Sequence, residues 1–167
     1  MRDIEANLRR YLAMERLLNE FFAASDYCLK NCIQVEMRKN GNRPVAGCCR
    51  KPYYTLYDLD HPAFALLKRE REKRFGKPGD CDRPTPVSPC EYHSPNAGCL
   101  LSSHKSPVCI AFVCREYVDY LRNRFGLYAY DYLGVYYALE WILTGDFTDG
   151  QYREFGAGIR AMIAAIK

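Results

Sequence analysis

The sequence predicts a mainly α fold of about five helices, interrupted by a long irregular loop rich in cysteine and proline. Three observations carry this. Apolar residues recur at three- and four-residue steps in several separate stretches. Gly76 to Pro107 is punctuated by Pro78, Pro84, Pro86, Pro89, Pro95 and Pro107, which no long helix would survive. Nine cysteines crowd a chain of 167 residues. That length suits one domain, residues 1–167. With 49% hydrophobic residues, the chain has the material for a core.

The first helix is expected from Ile4 to about Ala24. Ile4, Leu8, Tyr11, Leu12, Leu18 and Phe22 form its apolar stripe, with Arg9, Arg10, Glu15, Arg16 and Glu20 among them. It delivers the chain to Cys28 and Cys32. If the helix continues there, two thiols four residues apart share a face and can chelate one ion. Residues 33–57 read as irregular, with a turn at Asn40-Gly41-Asn42 and a short extended piece at Tyr53 to Leu56. Adjacent Cys48 and Cys49 would point to opposite sides of an extended backbone.

A second helix is expected from about His61-Pro62 to Phe75-Gly76, with Pro in its first turn and Gly at its end. Its basic run, Lys68 to Arg74, interleaves two Glu and reads as a solvated face. The proline-rich loop follows and holds Cys81, Cys90 and Cys99, with Cys109 just beyond it. So long a loop, poor in apolar residues, needs a source of order other than burial. Metal–thiolate bonds supply one, because forming such a site contributes directly to folding.

Ser106-Pro107 should open a third helix, as N-cap and first helical residue, running through Tyr117 and Leu121 to Phe125-Gly126. Cys109 then falls in the first turn, where the helix dipole favours a thiolate. Cys114 falls beside Val113 on the apolar stripe and reads as a packed thiol. A fourth helix covers roughly Tyr128 to Leu143. The last opens at Thr148-Asp149-Gly150-Gln151, a capping box. Most of the tyrosines on these helices read as packing.

Several function classes lose support. The formal charge of +4 is mild and dispersed, so there is no clear nucleic-acid signal. No window holds the apolar length of a membrane span, and the charged N-terminus lacks a signal-peptide core. The expectation is therefore a cytoplasmic chain with reduced thiols. Dense reduced cysteine points to metal rather than disulfides. Hydrolase, zinc-protease, P-loop and dinucleotide fingerprints are absent, which favours a non-enzymatic role. His93 and His104 lie among the cysteines and could each replace one as ligand, but read first as surface-loop histidines.

The cysteines also follow an order: Cys28-x3-Cys32, Gly47-Cys48-Cys49, Cys90, then Gly98-Cys99-x9-Cys109 with Phe112 behind. This resembles the bacterial YkgJ-like cysteine-cluster family of zinc- or iron-chelating domains. Lys105-Ser106 stands where that family usually has Arg-Pro, and its first four cysteines are packed more tightly. The resemblance covers about residues 28–112. It implies a ligand set of Cys28, Cys32, Cys48, Cys49, Cys90, Cys99 and Cys109. Cys81, in the same loop, is the best eighth by spacing. Thiolates suit Zn²⁺, iron or an iron–sulfur cluster alike. The reading that results is a cysteine-cluster metal-binding protein, with structural zinc and a helical body that binds a protein partner. The alternative is an iron–sulfur redox protein or modification enzyme of methyl-transfer type.

Overall fold

The computed structural model describes residues 3–45, 53–77, 90–94, 96–128 and 130–167. Cys48, Cys49 and Cys81 lie outside the described residues. The fold is mainly helical, as expected, but divides into more segments. Seven α-helices and one π-helical turn are present among the described residues.

Helix α1 (Ile4–Ser25) starts at Asp3, whose carboxylate accepts from the Ala6 amide at 2.9 Å, and stops where Asp26 turns left-handed. A π-helical turn, Cys28–Ile33, follows and leads into α2 (Gln34–Lys39). The expected irregular stretch from residue 33 is therefore helical through Lys39. Asn40 to Asn42 form the turn that ends it, with Gly41 and Asn42 both at positive φ. Tyr53 and Tyr54 lie in a turn rather than an extended piece.

Helix α3 (Pro62–Phe75) opens as expected. His61 Nδ1 caps it by accepting from the Ala63 amide at 3.2 Å. Strands β1 (His93–Ser94) and β2 (Gly98–Cys99) then form a small antiparallel hairpin inside the cysteine loop.

The expected third helix is broken in two. Helix α4 (Pro107–Ala111) ends at Phe112, which is extended, and α5 (Arg115–Phe125) restarts with Cys114 as N-cap. Tertiary contacts override local helical preference here. The Phe112 ring lies 4.8 Å from Tyr53 and 5.8 Å from Tyr132, and the Tyr130 hydroxyl donates to the freed Ala111 carbonyl at 2.7 Å. Helix α6 (Tyr132–Thr144) starts four residues later than the pattern suggests, because Asp131 caps it and Tyr130 is buried against α4. Helix α7 (Asp149–Ile166) has the full Thr148–Gln151 capping box.

Helix α1 is the central post. It packs against α6, α7 and α3, while α4 packs on α6. Tyr11, Leu18 and Phe21 of α1 meet Leu67, Tyr117, Leu121, Leu139, Leu143 and Ile159 in one core. Gly156 lets α7 come close to α1, since a Cβ there would lie 3.0 Å from Met14 Cε. A separate small cluster of Cys90, Tyr92 and Leu101, with Tyr54 and Phe75 against it, sits under the hairpin.

Candidate metal centre

The six described cysteines are not in disulfides, and their mutual electrostatic influence sorts them into two neighbourhoods. Cys28, Cys32 and Cys114 form the first. The π turn carries Cys28 and Cys32, and its widened coil keeps residues four apart on one side. π-Helical segments are rare and frequently mark functional sites. Tyr27 anchors the turn by lying 5.4 Å from the Tyr117 ring and 4.6 Å from the Tyr120 ring of α5. Burial raises the Tyr27 phenol, and Cys32, Cys114, Glu116 and Cys28 add to the rise. Cys28 and Cys114 are both half-buried against the main core. Burial lifts its thiol, with Glu116 and Cys32 adding.

The second neighbourhood holds Cys90, Cys99 and Cys109, from the start of the hairpin, its second strand and α4. Burial pushes the Cys90 thiol up to about 11, with Cys109 and Cys99 adding to the rise and Arg71 opposing it. Burial likewise raises Cys109, while Ser106 and Arg71 pull it down and Cys99 pushes it up. The sequence-based expectation for Cys109 is thus reversed. Five-residue α4 offers little dipole, and desolvation decides.

A buried polar lattice fixes the approach to Cys109. Glu15, 1% exposed, accepts from the His104 amide at 2.9 Å and the Lys105 amide at 3.1 Å. The Tyr11 hydroxyl donates to the Lys105 carbonyl at 2.6 Å. Arg71, 3% exposed, donates from Nε to the His104 carbonyl at 2.7 Å and from Nη1 to the Tyr54 carbonyl at 2.6 Å. Ser106 donates to the Tyr53 carbonyl and accepts from the Cys109 amide at 3.2 Å. His104 itself is held at positive φ, its Nδ1 2.8 Å from the Ser103 hydroxyl.

Two sequence-based readings are corrected here. The basic run of α3 is not wholly solvated, because Arg71 is interior. His93 and His104 are not surface-loop residues, being 6% and 4% exposed. Sequence reasoning also missed Glu15 and Arg71 as organisers of the site. The signal was present in their spacing. Glu15 lies four residues after Tyr11 and three before Leu18, and Arg71 lies four after Leu67, so both sit on apolar stripes.

Arg71 Nη2 and His93 Nε2 are buried and have no hydrogen-bond partner among the described residues. Among those residues, no group of three or more His, Cys, Asp or Glu side chains is arranged to hold a metal ion as it stands. The exposed Cys99 thiol instead faces its own strand, 3.7 Å from the Leu101 carbonyl. Chemically the second neighbourhood offers soft sulfur donors, a buried imidazole and a buried guanidinium that offsets thiolate charge. No family model, curated protein or solved structure matches the chain. No helix among the described residues is long and apolar enough to cross a membrane.

Proposed function

We propose that this is a metal-binding protein in which a cysteine cluster joins the hairpin loop to the helical body. The proposed ligands are Cys28, Cys32, Cys48, Cys49, Cys81, Cys90, Cys99 and Cys109, and the proposed metal is structural Zn²⁺, held in one or two thiolate sites. The observation that carries the reading is the cysteine pattern, nine cysteines in 167 residues; in the fold Cys90, Cys99 and Cys109 come from three separate elements and their charges act on one another, with Arg71 opposing. A reduced thiol group gathered with a buried cation is suited to becoming thiolate when an ion arrives.

In this reading the metal acts as a staple, and the helical body is the part that meets a protein partner. Leu133, Tyr137 and Trp141 are exposed at four-residue steps on α6, which gives that partner an aromatic stripe. The reading places the chain in a reducing, cytoplasmic setting and shares its chemistry with the YkgJ-like cysteine clusters. The test is the metal content and colour of anaerobically purified protein. Colourless protein carrying zinc is expected. A brown sample with iron and acid-labile sulfide would replace the staple with an iron–sulfur centre.

A further inference from the structure

We infer that the groove between α1 and α7 binds a small organic phosphate, a phosphomonoester on an apolar or aromatic body, through Arg16, Arg153 and Arg160. The site lies on the helical bundle and does not depend on the metal-binding reading.

Helical spacing brings these groups together. On α7, Arg153, Gly156 and Arg160 follow at steps of three and four residues, so they share one face. On α1, Ala13, Arg16, Leu17 and Glu20 share a face by the same spacing. The two faces line a groove of about 350 Å³, a size that suits one small molecule. Ala13, Met14 and Leu17 give it apolar lining, joined by Tyr152. Tyr152 is held in place, because the Arg10 guanidinium covers its ring at 4.4 Å and its hydroxyl donates to the Arg10 carbonyl at 3.3 Å. Gly156 makes room for Arg160. A Cβ there would stand 3.4 Å from Arg160 Nη2 and 3.5 Å from Nη1, so the guanidinium lies over bare backbone beside Met14.

Charge names the ligand. Arg9, Arg10 and Lys167, on or next to these helices, each have acidic partners. Arg16, Arg153 and Arg160 line the groove with neither an ion pair nor a hydrogen bond among the described residues. Glu20, the single acid among the lining residues, is already taken by the Lys167 ammonium at 3.0 Å. Three like charges around one hollow repel one another, and an anion placed among them turns that repulsion into attraction. A phosphomonoester suits the groove better than a carboxylate. It carries about two negative charges at neutral pH and offers three acceptor oxygens to the guanidinium forks. The apolar lining takes the organic part of the ligand, which inorganic phosphate lacks.

The experiment is titration of the ¹⁵N-labelled protein with phenyl phosphate, inorganic phosphate and benzoate, followed by ¹H–¹⁵N NMR. Phenyl phosphate should shift the amides of residues 13–20 and 152–160, and bind about tenfold tighter than either of the other two. Arg153→Gln and Arg160→Gln should each weaken it about tenfold, as expected for the loss of a charged hydrogen bond. Both side chains are exposed, so the helices stand without them, and an otherwise unchanged spectrum verifies it. Arg122→Gln on α5, whose guanidinium already lies 3.7 Å from Asp119, should bind phenyl phosphate normally. Absence of shifts at millimolar phenyl phosphate, or shifts unaltered by Arg153→Gln and Arg160→Gln, overturns the site. Equal affinity for phenyl phosphate and inorganic phosphate overturns the organic ligand.

Discussion

The α1–α6–α7 bundle and the region from Cys90 to Cys109 are ordered by different means. In the bundle, large apolar side chains such as Leu18, Leu139 and Ile159 are almost fully buried, and helix ends carry side-chain caps. Around the thiols, the apolar cluster shrinks to Cys90, Tyr92 and Leu101 with two neighbours. Order there comes from Glu15, Arg71 and Ser106 bonding to backbone groups far away in the chain. The contrast teaches that the bundle is ordered chiefly by apolar burial, while the thiol region rests on polar anchors; in the proposed reading a metal ion adds the rest.

The largest expected effect breaks the bundle. Leu139→Ala removes a fully buried side chain from the contact between α6 and α1, and should cost about 3–5 kcal/mol. Chemical unfolding should show the same loss with and without zinc, because the cavity opens in the main apolar core and not in the cluster of Cys90, Tyr92 and Leu101. Glu15→Ala comes next. It leaves the His104 and Lys105 amides without their buried acceptor, at a cost of about 2–4 kcal/mol. Hydrogen exchange at those two amides should accelerate more than exchange in α7.

The contrast between the two regions was only half legible in the chain. Helix positions followed from periodicity and caps: His61-Pro62, Ser106-Pro107 and Thr148–Gln151 all start helices. The break at Phe112 was not legible, because the rings of Tyr53 and Tyr132 and the hydroxyl of Tyr130 stabilise it from elsewhere in the chain. The cysteine order was visible as a pattern, but not the division into two neighbourhoods, which depends on how the π turn meets α5 and the hairpin meets α4. Glu15 and Arg71 looked like ordinary surface charges. Only the fold shows that both hold the turn before Cys109, one by its amides and the other by a carbonyl.

Smaller effects sharpen the comparison at the thiols. Cys90→Ser and Cys99→Ser should each lose bound metal and the stabilisation that metal confers, measured as zinc per chain and as the zinc-dependent rise in Tm. Cys114→Ser should keep normal metal content, since Cys114 lies outside the proposed ligand set. The smallest effect is a pH dependence of the metal-free protein. Cys90 ionises near 9 when unfolded and near 11 when folded, so the folded state holds its proton longer. Its contribution to stability is complete below pH 9 and is lost as pH rises toward 11. Unfolding midpoints should fall across that window, and Cys90→Ser should flatten the fall.

The most direct test of a metal-closed thiol region is hydrogen exchange on the reduced protein, with zinc and then with a chelator. The account predicts that chelation releases zinc and deprotects the amides of residues 90–109, while α1, α6 and α7 keep their protection. Identical exchange in both states, with no metal retained at any step, would contradict it.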